Sequence, residues 1–99
     1  MKPLPSVADI VDAHWDRIDW SCEGVCDLTP REREMFKHLA CGRENKEIVE
    51  HVSIAFYTVK EHVSAVLKKI GVTNRAHASV IAWSLMFDPG RYRKLGETP

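Results

Sequence analysis

The stretch Val59–Ile70 narrows the possible folds more than any other part of the chain. Val59, Val63, Val66, Leu67 and Ile70 recur at the spacing of one helical face. Tyr57, Lys60, Glu61, Ser64 and Lys68 fall on the opposite face, and Gly71 follows as a stop, since glycine takes the left-handed conformation at little cost. Just upstream, Asn45–Val52 carries a shorter helical pattern in which Ile48, Val49 and Val52 point one way. Two helices joined by a few residues, the second amphipathic and basic at its far end, read as a helix-turn-helix, with residues 56–70 as its second helix.

The rest of the chain supplies helices to pack against this pair. Pro3 and Pro5 keep the start extended, and Ser6 caps a helix with Asp9 at its third position. Val7, Ile10, Val11, His14, Trp15 and Ile18 form an apolar stripe, opposite Asp9, Asp12, Asp16 and Asp19. A helix of about 14 residues is marginal alone in water, so this arm needs an apolar surface to lie on. Ser21–Asp27, with Gly24 and no periodicity, reads as a linker. Thr29-Pro30-Arg31-Glu32 is a capping box with proline at the first helical position. Its helix runs to about Cys41 and buries Met35, Phe36, Leu39 and Ala40. Asn45 is expected to cap the next helix. Asn74 or Thr73 caps a last one, which Pro89 and Gly90 end near Phe87. That last helix is apolar on two sides, through Ala76, Val80, Trp83 and Phe87 and through Ala78, Ile81, Ala82 and Leu85. It must therefore be covered on two sides, by the arm or by a second subunit. Arg91, Tyr92, Arg93 and Lys94 form a short basic tail.

The chain has 99 residues, 14 basic and 14 acidic, for a formal net charge of zero. The balance hides an asymmetry. Met1–Asp27 sets Lys2 and Arg17 against Asp9, Asp12, Asp16, Asp19, Glu23 and Asp27, a net of −4, and Leu28–Pro99 carries a net of +4. Three cysteines, an odd number, argue against a disulfide framework. Cys22-x3-Cys26 with His14 or His38 is a loose zinc pattern, and reduced thiols with Cys41 in or near the core are the simpler reading. No metal or cofactor is expected. The five histidines are scattered, and no nucleophile stands in a recognisable signature, so an enzyme is rejected. No run approaches the ~18 apolar residues of a membrane span and no signal-peptide pattern opens the chain, which leaves a cytoplasmic address and no membrane partner as the expectation.

Four words at set intervals make the reading more specific: Leu28-Thr29-Pro30-Arg31-Glu32-Arg33-Glu34, Asn45-Lys46-Glu47-Ile48, Thr58-Val59-Lys60-Glu61-His62-Val63 and Leu67-Lys68-Lys69-Ile70-Gly71-Val72. Together they closely resemble the LuxR/GerE-type (NarL/FixJ-like) DNA-binding domain of bacterial transcription regulators. The resemblance covers roughly Leu28–Leu85. It implies an all-α fold, a four-helix LuxR-type helix-turn-helix module at residues 28–87. The extra amphipathic helix and linker occupy residues 1–27, and the tail residues 88–99. At Ala55 the sequence departs from the family, which usually has a serine or threonine cap there, a loss worth ~1 kcal/mol. Phe56 and Tyr57 also replace usually polar residues. Phe56 either tucks into the core with Tyr57 half-exposed beside it, or Tyr57 meets a phosphate, a base or a protein partner.

Carried over by position, the resemblance makes Lys60, Glu61 and Ser64 base-facing, and Lys46, Thr58, His62, Lys68 and Lys69 placed for backbone contacts. Lys60 suits guanine acceptors and Glu61 a cytosine amino group. So few lysines imply weak binding per subunit, for which a homodimer on adjacent half-sites would compensate. Trp15, Ile18, Val80, Trp83 and Phe87 are the residues for arm packing or a dimer seam. Two functions follow: a sequence-specific regulator that binds double-stranded DNA, or an interaction module or antagonist that keeps the fold and binds a related regulator or other protein, for which the acidic arm is a candidate surface.

Overall fold

The structure is a computed structural model, and it describes residues 3–93. Lys94, part of the basic tail, lies outside the described residues. These form five α-helices and no β-strand: α1 (Val7–His14), α2 (Pro30–Ala40), α3 (Asn45–His51), α4 (Phe56–Ile70) and α5 (Arg75–Phe87). Two 3-10 turns, Trp15–Arg17 and Pro89–Arg91, extend α1 and follow α5. The all-helical architecture agrees with the sequence reading, and α4 spans the stretch expected of it.

Local chemistry starts most of these helices where the sequence places them. The Ser6 hydroxyl accepts from the Asp9 amide at 3.1 Å and the Asp9 carboxylate from the Ser6 amide at 3.1 Å. Thr29 and Glu32 make the same reciprocal pair at the start of α2. Asn74 caps α5 by accepting from the His77 amide at 2.8 Å. Asn45 does not cap α3. Glu44 is the capping residue, its amide donating to the Glu47 carboxylate at 3.0 Å. The Asn45 side-chain oxygen Oδ1 instead accepts from Arg75 Nη2 at 2.9 Å, and that nitrogen also donates to the Arg43 backbone carbonyl at 2.9 Å. Arg75 thereby ties the start of α5 to the α2–α3 connection.

The core joins all five helices. Val11, Met35, Phe36, Ile48, Val59, Val66, Ala78 and Ala82 are completely buried, and Leu39, Ala40 and Leu85 nearly so. The arm belongs to this core, in a different form from the one its pattern suggests. The α-helix stops at His14, and the tighter Trp15–Arg17 turn swings Trp15 inward and buries Ile18. Trp15, Trp20 and Phe36 pack edge to face, with ring centroids 5.5 to 6.3 Å apart. The Arg33 guanidinium lies 4.7 Å above Trp20. The arm therefore covers α2 through Trp15. The Trp15–Arg17 turn also packs against α5, where the His14 ring lies 4.7 Å from that of Phe87 and the Arg17 guanidinium 5.9 Å from the same ring. Val7 at the start of the stripe stays half-exposed.

Ser21–Asp27 is not a linker. Cys22, Val25 and Leu28 are buried at three-residue spacing, because the amides of Cys22, Val25 and Leu28 each bond the carbonyl three residues earlier and bring successive apolar side chains to one side. The Glu23 amide donates to the Arg93 carbonyl at 2.8 Å, which pins the chain after α5 against this segment. Asp9, Asp12 and Asp16 of the acidic row are exposed, as their place opposite the stripe implies, and Asp19 is half-buried; three of the four also serve the fold. Asp9 caps α1, Asp12 pairs with Lys37 at 2.8 Å, and Asp19 accepts from the amide and hydroxyl of Ser21.

Candidate nucleic-acid interface

The inner side of α4 fixes its orientation. Val59, Val63 and Val66 are buried against the core, Leu67 and Ile70 partly so, and Gly71 ends the helix at φ 80°, a left-handed conformation costly for any side chain. With one side anchored over about three turns, the opposite side must face out. Tyr57, Lys60, Glu61, Ser64 and Lys68 are all exposed, and Thr58 and His62 sit half-buried at its margins. Among the described residues, neither Lys60 nor Lys68 has an ion-pair partner. The N-terminus of the helix is equally open, since Ala55 has no side-chain oxygen to offer the first-turn amides.

Around this start lies a shallow depression lined by Glu44, Asn45, Lys46, Phe56 and Arg75. It brings Lys46 from α3 beside the first turn of α4. Lys46 is exposed, its ammonium 3.8 Å from the Glu44 carboxylate, too loose to neutralise it. Phe56 does not enter the core. It is 52% exposed and Tyr57 is 69% exposed, so two aromatic rings stand in water where α4 begins.

Lys69 departs from the sequence expectation. Its ammonium lies 2.7 Å from the Glu32 carboxylate and donates to the Asp27 carbonyl at 3.2 Å, joining the end of α4 to the start of α2. Glu32 is nearly buried. Burial pushes its carboxyl up, but the hydrogen bond from Lys69, those from Thr29 and the charge of Lys69 together outweigh burial and hold it below its ordinary value. Lys69 is thus a structural cation, which the sequence could not reveal because its partner is 37 residues away. Arg75 was missed for the same reason.

His38, weighed above as a metal ligand, is buried with Nδ1 2.9 Å from Arg43 Nη1. Burial, with the charges of Arg43 and His51, keeps its pKa below the ordinary value. Among the described residues, no group of three or more histidine, cysteine or acidic side chains is placed to hold a metal.

The profile of the luxR family of bacterial regulatory proteins matches residues 27–82, more than half of the chain and all of α2 to α4. The chain belongs to that family. Its members are regulatory proteins rather than enzymes. Relatives include the transcriptional regulatory protein LnrK of Bacillus subtilis, 44% identical over 56 residues, or 57% of this chain and 26% of that protein. The nitrate/nitrite response regulator protein NarL of Escherichia coli is 45% identical over the same length, again 57% of this chain and 26% of its own. The transcriptional regulatory protein MctR of Rhizobium johnstonii is 39% identical over 74 residues, 75% of this chain and 33% of that protein. The matches thus span about a quarter to a third of these relatives. No solved structure matches the chain significantly. Among the described residues, no helix is long and apolar enough to cross a membrane.

Proposed function

We propose that this protein is a DNA-binding transcription regulator that reads the major groove with the outer face of α4. The observation that carries the reading is a contrast in how cations are used. Arg31, Lys37, Lys69 and Arg91 pair with carboxylates and Arg75 holds a loop, whereas Lys60 and Lys68 lie on an exposed helix face with no ion-pair partner among the described residues. In this reading Lys60, Glu61 and Ser64 meet base edges, and Lys46, Thr58, His62 and Lys68 meet the sugar–phosphate backbone. The open first turn of α4 offers amides to a phosphate.

Dimerisation through α5 is part of the proposal, because Val80 is 66% exposed and Phe87 47% exposed. Trp83 is less suited to a seam, since its indole donates to the Ala40 carbonyl at 2.9 Å and its ring stacks on Phe87 within the chain. The zero net charge favours a second reading, an interaction module that has lost DNA binding. One experiment separates them. Lys60→Ala is expected to weaken binding to the best site selected in vitro by roughly 1–3 kcal/mol with unchanged melting. Equal binding by variant and parent removes Lys60 from the site, and no binding by either favours the interaction module.

A further inference from the structure

Tyr57 is exposed, has no hydrogen bond, ion pair or ring contact among the described residues, and lies on the outer face of α4. At roughly 100° per residue, Ser64 and Lys68 fall within about 20° of its direction and Lys60 and Glu61 within about 60°. Val66, completely buried, points the opposite way. Taking Val59, Val63 and Val66 as the buried side, Tyr57 lies within about 30° of the outward direction, so an aromatic ring 69% exposed is among the side chains that α4 presents to whatever it meets.

Resting on the DNA-binding reading above, we propose that Tyr57 determines specificity, its ring packing against the C5-methyl group of a thymine in the major groove. The major groove presents one apolar group, that methyl, and an aromatic ring is among the side chains that recognise it. The neighbours of Tyr57 suit the same groove: Lys60 one turn on supplies a donor, and Ser64 a hydroxyl. A protein partner would also bury the ring, but the unpaired Lys60 and Lys68 flanking the line favour a polyanion over an apolar groove.

The test uses duplexes carrying the site selected by the full-length parent, with each thymine replaced in turn by uracil, which lacks only the methyl group. Binding of the parent, Tyr57→Phe, Tyr57→Ala and Lys60→Ala is followed by fluorescence anisotropy. One uracil position should weaken the parent and Tyr57→Phe roughly 5-fold or more. The same change should have no further effect on Tyr57→Ala, which already binds the thymine site that much more weakly. An equal uracil effect on parent and Tyr57→Ala overturns the proposal, and so does full affinity of Tyr57→Ala for the thymine site. A loss in Tyr57→Phe as large as in Tyr57→Ala also overturns it, because the contact would then belong to the hydroxyl. In all three cases a parent that binds through Lys60 leaves the DNA-binding reading standing. A parent that binds no duplex overturns both.

Discussion

The arm (residues 3–27) and α4 carry the same kind of pattern, an apolar stripe backed by a polar row, yet the fold uses them differently. In the arm three of the four acidic side chains are engaged by the chain itself while Asp16 stays exposed: Asp9 closes a capping box, Asp12 reaches Lys37, and Asp19 holds Ser21. In α4 the row from Tyr57 to Lys68 is left alone, and only Lys69, one residue past it, is engaged. Polar side chains that a fold already satisfies have little left to offer a ligand; those that it leaves in water are available. The contrast assigns the arm to stability and the outer face of α4 to recognition, and each assignment can be broken separately.

The largest effect is expected where arm and module meet. Phe36 is completely buried and lies under both Trp15 and Trp20. Phe36→Ala should cost about 3–5 kcal/mol in denaturant unfolding. A loss below about 1 kcal/mol would mean that the arm is not held by this cluster.

Next come the two adjacent lysines, which the contrast separates. Lys69→Ala leaves the Glu32 carboxylate short of a partner and should lower stability by ~1–3 kcal/mol, while Lys68→Ala should leave unfolding unchanged and weaken binding to all DNA sequences alike. Similar unfolding curves for the two variants would erase the distinction. Acid should expose the same link. The Glu32 carboxyl is held below its ordinary 4.5, so the unfolded chain takes up its proton first. The stability that Glu32 contributes is therefore full above about pH 4.5 and is lost as the pH falls through its lower folded value. Acid titration of parent and Lys69→Ala should show a smaller loss in the variant.

The smallest effect belongs to the surface. Asp12 is well exposed and Lys37 partly so, so Asp12→Asn should change stability by no more than about 1 kcal/mol despite the short 2.8 Å pair. A larger loss would make this pair, rather than the aromatic cluster, the anchor of the arm.

What was legible in the sequence follows from how far each interaction reaches along the chain. The limits of α4, the capping boxes at Ser6 and Thr29 and the stop at Gly71 depend on residues within a turn of each other, so spacing exposes them. The packed segment at 21–27 left only a weak trace, the three-residue spacing of Cys22, Val25 and Leu28, because it follows neither a helical nor a strand period. Lys69 with Glu32 and Arg75 with Asn45 are joined across 37 and 30 residues, and nothing local marks them. At Phe56 the sequence left two readings open. Its hydrophobicity suits burial, but its place on the first turn of α4, over a shallow depression, leaves it half in water and excludes the reading in which it enters the core.

A salt titration of duplex binding tests the central claim most directly, using random DNA and the selected site with parent, Lys68→Ala and Lys69→Ala. If the outer face of α4 holds the phosphates, the logarithm of the parent's binding constant should fall linearly with that of salt concentration. Lys68→Ala should flatten the slope by about 1, and Lys69→Ala should leave it unchanged. A slope that neither variant changes, or an equal change in both, would contradict the separation of a structural from a recognising lysine; absence of salt-dependent binding would contradict the DNA-binding claim itself.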